Sequence, residues 1–279
     1  MTIKEALNQG YQQLEKNRIE TSYLDASVLL SHVLNCSREK LIANFTDEIH
    51  DDCRDDFQKL IQRRIQGIPV SYLRQKKEFY SLEFFVDNRV LVPRPDTEIL
   101  VDLAFKLIDE KGFSSVHDLC TGSGCIPISL KKNRPNLDIS ASDISPQALE
   151  VFEINCRKIL GQDIPHFQSD FTQKLKGKFH MITANPPYLS QADVDNMAEK
   201  HWPEPFLALL GGIRGDEMTL SLIHLVKEHL APGGYFLCES DPRLMESLLA
   251  EMRKAGYTGV DVAADLAGRG RVVYGRLGL

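Results

Sequence analysis

Four consecutive residues, Asn185-Pro186-Pro187-Tyr188, follow the apolar run Met181-Ile182-Thr183-Ala184. Two prolines in succession remove two backbone donors and hold the chain extended. The carbonyls of Asn185 and Pro186 are left as acceptors. The Asn185 side chain adds a third carbonyl oxygen, and Tyr188 adds a flat apolar ring with a polar tip. Such a set can cradle a planar –NH₂ group: two acceptors take its two hydrogens while the ring stacks on its plane. A rigid turn without chemistry is the plainer reading of a Pro-Pro pair on its own.

A second set lies upstream, in Val116-His117-Asp118-Leu119-Cys120-Thr121-Gly122-Ser123-Gly124-Cys125. Gly122 and Gly124 allow a sharp turn and close approach of the backbone to a ligand. The helix that follows offers unpaired N–H groups, which favour an anionic group such as a carboxylate. Position 120 is Cys, so a full GxGxxG fingerprint is absent, and no Lys-Ser or Lys-Thr marks a P-loop. Asp143 ends the next predicted strand, where an acid can accept hydrogen bonds from ribose hydroxyls or simply cap the next helix. Loop and acid together suit a nucleoside-containing cofactor. Pro127 is tolerated in a first helical turn, so the helix is expected to start near Gly124 or Cys125.

The elements that must position these groups alternate. Val116–Leu119, Ile139–Asp143, Met181–Ala184 and Tyr235–Glu239 read as strands. Ile99–Ile108 reads as an amphipathic helix, and Pro146–Leu160 as another, with Ser145 as cap and Pro146 at its first position. Strand–helix alternation predicts an α/β fold with a parallel sheet. Residues 1–75 read helical instead: Ile3, Leu7, Tyr11 and Leu14 recur at three- and four-residue steps. Ser22 with Asp25 resembles a capping box, followed by an apolar face of Leu24, Val28, Leu29 and Val33. Phe57, Leu60, Ile61, Ile65 and Ile68 mark a further helix, with Phe45 and Phe57 expected in the core. The acidic stretch Asp47–Asp56 reads as a solvated face. Between the two parts, residues 76–93 predict a β-hairpin linker, with Phe79–Val86 as one strand, Asp87-Asn88 as the turn and Val90–Val92 as the partner. The catalytic part is expected over 94–279.

Composition narrows the function classes. The chain has 279 residues and a formal net charge of −6, which excludes a broadly basic nucleic-acid binder. Residues 1–75 hold ten basic and eleven acidic side chains, so neither part is a polycationic arm. The cysteines Cys36, Cys53, Cys120, Cys125, Cys156 and Cys238 form no CxxC pair. No metal site is therefore expected, and a reduced cytoplasmic protein is the simplest reading. Met1–Gly10 has no apolar signal core, and no uninterrupted apolar stretch reaches the roughly 18 residues of a membrane span.

The glycine loop with Asn-Pro-Pro-Tyr resembles the class I S-adenosylmethionine-dependent methyltransferases that alkylate planar nitrogens. Further segments narrow the resemblance to the release factor glutamine methyltransferases, the PrmC/HemK family. Val90-Leu91-Val92-Pro93-Arg94-Pro95-Asp96-Thr97-Glu98 is similar to that family's VLIPRPETE, and Gly67-Ile68-Pro69-Val70-Ser71-Tyr72-Leu73 to its GxPxxYL. Glu78-Phe79-Tyr80 resembles its E-F-x step. Glu204-Pro205, Ala208-Leu209 and Gly211-Gly212 resemble EPxxALxGG, and Arg271-Val272-Val273 also matches. Departures fall at Gln75 and Cys120, where Gly is usual, and at Pro127, Arg214 and Ser240-Asp241. They bear on loop geometry and spare Asn185–Tyr188.

The resemblance implies a Rossmann-like, seven-stranded methyltransferase domain, with S-adenosylmethionine as cofactor and S-adenosylhomocysteine as product. It implies a class I peptide chain release factor as protein substrate, methylated on the glutamine of its GGQ motif. Asn185, Pro186, Pro187 and Tyr188 would be the catalytic and substrate-binding residues. Cys120, Thr121, Gly122, Ser123 and Gly124 would hold the methionine portion, Asp143 the ribose, and Asp170 with Phe171 the adenine, with Asn185 also touching the cofactor. Arg94, Asp96 and Thr97 would order the cofactor lid. His180, on the strand before the motif, reads as a strand-facing or surface residue. A monomer without membrane or stable nucleic-acid partners is the accompanying expectation. The rival reading is an amino-nucleobase (N6-adenine) methyltransferase acting on nucleic acid, since adenine N6 is also a planar amine; the neutral-to-acidic balance weighs against it. A non-catalytic adaptor with the same fold is a second rival.

Overall fold

The computed structural model describes residues 1–199 and 202–278. The chain divides into two compact units, one built on Met1–Lys76 and the other on Lys77–Lys200 and Glu204–Leu279.

The first unit is a helical bundle of α1 (Ile3–Lys16), α2 (Ser22–Val33), α3 (Arg38–Ala43), α4 (Asp51–Ile65) and α5 (Val70–Arg74). The capping box sits at α1, where the Glu5 N–H donates to Thr2 Oγ1 (3.2 Å) and the Thr2 N–H to Glu5 Oε2 (2.8 Å). The box expected at Ser22 and Asp25 is absent. Thr21 precedes α2 without capping it, and Asp25 instead receives the Thr21 hydroxyl (2.9 Å) and Arg64 of α4 (2.8 Å). A carboxylate held by a neighbouring helix is not free to turn back to its own N-terminus. Leu7, Leu14, Leu29, Leu30, Phe57 and Ile61 form the core, and Leu24 is exposed, because the buried stripe of α2 runs through Ala26, Leu29 and Leu30. Phe45 is only partly buried. Gly10 faces Phe57 so closely that an added Cβ would stand 2.5 Å from its Cζ.

The second unit is built on a seven-stranded sheet. Its strands are β1 (Ser115–Leu119), β2 (Asp138–Asp143), β3 (His166–Gln168), β4 (Phe179–Ala184), β5 (Leu230–Glu239), β6 (Tyr257–Ala264) and β7 (Gly270–Leu277). They lie in the order β3-β2-β1-β4-β5-β7-β6. The first five run parallel, β7 runs antiparallel to β5, and β6 antiparallel to β7. Helices α6 (Glu98–Lys111), α7 (Cys125–Asn133), α8 (Pro146–Asn155), α9 (Gln191–Glu199), α10 (Glu217–Leu225) and α11 (Met245–Lys254) connect or flank the strands. The α/β fold and the four strands expected after Thr97 are borne out, as are the Ser145 cap on α8 (Ala148 N–H to Oγ, 3.1 Å) and Pro146 at its first position. That helix ends at Asn155 and continues as a π-helical turn over Cys156–Leu160.

The central strand β1 is buried on both faces, although it carries His117 and Asp118. His117 is satisfied there by the hydroxyls of Ser140 (2.7 Å) and Ser142 (3.0 Å) on β2 and stacks on Phe167. Burial pushes its pKa down to about 3, so the ring stays neutral.

The hairpin differs from expectation. Its strands are Lys77–Phe79 and Leu82–Phe84, turning through Tyr80 (φ 51°) and Ser81 (φ 58°), and Val90–Val92 is not a strand. Two consecutive left-handed residues make the tight turn that a two-residue hairpin needs. Phe79 and Phe84 are fully buried and meet edge to face, so the hairpin belongs to the second unit. Asn155, also fully buried, fastens the segment that follows: its Oδ1 accepts the Phe85 N–H (2.7 Å), and its Nδ2 donates to the carbonyls of Phe85 (3.0 Å) and Ser123 (2.9 Å).

Removing that side chain strands three backbone groups, the buried Ser123 carbonyl and the part-buried N–H and carbonyl of Phe85. Asn155→Ala is therefore expected to cost about 3 kcal/mol. Urea unfolding followed by circular dichroism would measure this, and a loss below about 1 kcal/mol would contradict the clamp.

Candidate active site

Strands β1, β2, β3 and β4 end along one edge of the sheet, and the loops leaving them line a cleft. Cys120, Thr121, Gly122 and Ser123 line one wall, Asp143 and Ser145 the next, Asp170 and Phe171 another, and Asn185 and Pro187 the wall opposite. Parallel strands necessarily bring their C-terminal loops together in this way.

The loop after β1 turns through left-handed residues: Cys120 (φ 56°), Gly122 (φ 54°) and Gly124 (φ 81°). Glycine adopts this conformation freely, whereas Cys120 bears a strain of about 1–2 kcal/mol. Its thiol, pushed up by burial and by the nearby carboxylates, stays protonated. The Thr121 N–H donates to the Ser142 carbonyl (3.1 Å), and the Gly122 N–H to Asp143 Oδ2 (2.8 Å). Asp143 Oδ1 accepts the Ser145 N–H (2.9 Å). Burial raises the Asp143 pKa and these backbone donors oppose the rise. Each oxygen keeps a further lone pair for a ligand hydroxyl. Gly124 lies behind the cleft wall as the residue before α7, and an added Cβ there would stand 2.3 Å from Phe152 Cδ2.

The opposite wall is built on β4. Asn185 Nδ2 donates to the Thr97 hydroxyl (3.3 Å), at the start of α6. Arg94 pairs with the buried Glu204, which also accepts the Val92 N–H (2.9 Å). Asp96 pairs with Arg271 of β7 (3.1 Å). These bonds give Arg94, Asp96 and Thr97 separate tasks. Two anchor the segment 92–97, and the third meets Asn185. Pro186 is buried and Tyr188 half-buried; neither lines the cleft, and the Tyr188 hydroxyl donates to Glu239 Oε1 (3.3 Å). His180 sits at the start of β4, at the far end from Asn185, bonded to Ser115 and stacked on Phe113. No base therefore stands beside the motif from that residue. Among the described residues no cluster of three His, Cys, Asp or Glu could hold a metal ion.

Two carboxylates that sequence reasoning passed over lie beneath this edge. Asp118 is fully buried; its Oδ1 accepts the Thr183 hydroxyl (2.6 Å), its Oδ2 has no partner, and burial pushes its pKa up to about 7. Glu239, at the end of β5, is likewise buried, with Oε2 unpartnered and a pKa pushed by burial up to about 7. The only sequence signal for either was an acid at or near the end of an apolar strand.

Comparison with known proteins adds a second line. A family model described as PrmC N-terminal domain matches residues 5–74, and one described as Methyltransferase small domain matches 97–202. The chain is 35% identical over 279 residues to a release factor glutamine methyltransferase of Koribacter versatilis, covering 99% of each. It is 36% identical over 280 residues to the like-named protein of Leptospira interrogans, covering 98% of this chain and 97% of that one. A methyltransferase from Pyrococcus furiosus shares the fold, with a TM-score of 0.54 at 16% identity over 78% of this chain and 99% of that one. The catalytic domain of hMettl16 does so with a TM-score of 0.57 at 15% identity over 82% of both.

The buried carboxylates set a pH dependence. A folded-state pKa raised to about 7 makes the stability associated with Asp118 full below the unfolded value near 4 and lost as pH rises through about 7. Asp118→Asn removes that loss and keeps an acceptor for Thr183. Its unfolding free energy relative to wild type is expected to rise by on the order of 1–4 kcal/mol between pH 5 and pH 8. A difference that stays constant across that window in paired thermal melts would refute the assignment.

Proposed function

The chain belongs to the release factor glutamine methyltransferase family, and on that premise we propose the following reaction. The protein transfers a methyl group from S-adenosylmethionine to the side-chain amide nitrogen (N5) of the glutamine in the GGQ motif of class I peptide chain release factors. The observation that carries this reading is the Asn185 side chain. Its amino group is engaged by Thr97, so its Oδ1 is the atom left to meet a planar –NH₂ group at the cleft.

The cleft suits the cofactor. Asp143 is held by two backbone donors with lone pairs to spare for ribose hydroxyls, Gly122 has no side chain to obstruct a ligand, and the buried Thr121 hydroxyl lacks a protein partner. Asp170 and Phe171 would flank the adenine. When bound, S-adenosylmethionine supplies a methyl group on a sulfonium, and S-adenosylhomocysteine is the product.

The protein has to overcome the poor nucleophilicity of an amide nitrogen, whose lone pair is delocalised into the carbonyl. Asn185 Oδ1 and the Pro186 carbonyl would each accept one amide hydrogen, fixing the nitrogen in line with the methyl group. The same acceptors stabilise positive charge as it develops on that nitrogen. No hydrogen bond occupies the Pro186 carbonyl among the described residues. Tyr188 would wall the substrate side, its hydroxyl tethered to Glu239. We assign residues 1–75 to selecting the release factor and 94–279 to catalysis.

Two variants test the roles separately. Asn185→Ala should lower kcat by about 100- to 1,000-fold while cofactor affinity survives at least in part. Mass spectrometry of the GGQ peptide gives the readout, and unchanged turnover would remove the cradle. Asp143→Ala should weaken cofactor binding by about 10- to 100-fold in calorimetry; wild-type affinity would exclude the ribose role. Methylated nucleobases in place of methylated glutamine would replace the reaction itself.

A further inference from the structure

We propose that Glu239 is a positioning residue of the transfer site, whose ionised carboxylate fixes which face of the Asn185 amide is turned to the cleft. The inference rests on the role given above to Asn185.

The geometry begins with sheet register. Ala184 of β4 is paired with Cys238 of β5, so the next residues, Asn185 and Glu239, emerge side by side at the sheet edge. Glu239 is 2% exposed. An ionised carboxylate only accepts hydrogen bonds, so every polar neighbour must present a donor. Tyr188 does so at 3.3 Å, and the Thr97 and Asn185 side chains also stand close enough to favour the charged form. A Thr97 hydroxyl whose proton is drawn towards the negative charge of Glu239 has only lone pairs left for Asn185. It then takes the Asn185 amino group, as observed at 3.3 Å. The amide oxygen is forced to the other side. Protonated Glu239 becomes a donor itself, the direction of the chain can reverse, and Asn185 is free to present its amino group where an acceptor is required.

The remaining groups around the carboxylate are few. Asp96 on the turn before α6 raises its pKa, although Asp96 is itself paired with Arg271. Cys125 on α7 and Cys238 on β5 are thiols kept protonated by burial, and the Tyr188 phenol is likewise pushed up. Arg94 and Asp241 act on Tyr188 with opposite sign, and each already has an ion-pair partner, Glu204 and Arg243. Burial remains the largest influence and brings the carboxylate to about 7.

The test uses the full chain and an intact release factor. Wild-type kcat should rise with pH through an apparent pKa near 7. Glu239→Gln should lower kcat by about 10- to 100-fold and abolish that limb, with KM and cofactor affinity within about twofold of wild type. Glu239→Asp should restore part of kcat together with the limb. A limb that persists in Glu239→Gln, or a fall in cofactor affinity parallel to kcat, overturns the proposal. An activity-independent measurement separates this from failure of the functional reading. The Asn185 side-chain –NH₂ resonances should titrate near pH 7 in wild type and stay fixed in Glu239→Gln. Their invariance in wild type overturns the proposal whatever the substrate proves to be, and if Glu239→Gln does not fold, Glu239→Asp should titrate at a shifted midpoint.

Discussion

A protein interior rarely leaves hydrogen-bond acceptors unfilled, yet a site that must hold a neutral –NH₂ group needs acceptors waiting. In the reaction proposed above, the Pro186-Pro187 pair meets this constraint at its source, because it contributes carbonyls and no N–H that could turn inward to occupy them. The rest of the catalytic unit follows from that choice. The motif must sit where a strand ends, so that the chain can leave the sheet without a ladder partner. The neighbouring strands must end at the same level, so that their loops supply the remaining walls of the cleft. The Asn185 amino group must be held on the far side, where Thr97 accepts it.

The first wall obeys a complementary rule. Asp143 is an acid in a largely dry place, and two backbone N–H groups from its own loop and from the glycine loop make the charge tolerable. The bond from the glycine loop thereby couples the ends of β1 and β2, so this wall of the cleft is held by the protein's own hydrogen bonds. Asn155 extends the same logic outward, joining the Ser123 carbonyl to the segment at Phe85.

Much of this was legible from residue order. Short runs of four or five residues leading to the glycine loop, Asp143, Asn-Pro-Pro or Glu239 located β1, β2, β4 and β5, even though His117, Asp118, Ser140 and Ser142 break the apolar pattern of a strand buried on both faces. Cys120, Thr121, Gly122, Ser123, Asp143, Asp170, Phe171 and Asn185 do meet at one cleft, whereas Gly124, Pro186 and Tyr188 stand behind it. The hairpin was misplaced because Tyr80-Ser81 carries no Gly or Asn to announce its left-handed turn. Glu239 was silent for a different reason. An acid at a strand end has no meaning until the register sets it beside Asn185. The two positions with an unusual residue in place of glycine, Gln75 and Cys120, both occupy positive φ. Both departures therefore place a side chain in a backbone conformation that glycine adopts without strain.

The strand order bears on how such a chain comes into being. Strand β7 lies between β5 and β6, although both precede it in sequence. During vectorial synthesis β5 therefore waits with one edge open until β7 emerges and inserts, antiparallel to both of them. An open edge is a template for pairing with another chain. Truncation anywhere before Gly270 would leave the facing edges of β5 and β6 unpaired, both of which β7 fills in the complete sheet. The enzyme's vulnerable moment thus lies in the nascent chain, before the last interior strand has arrived.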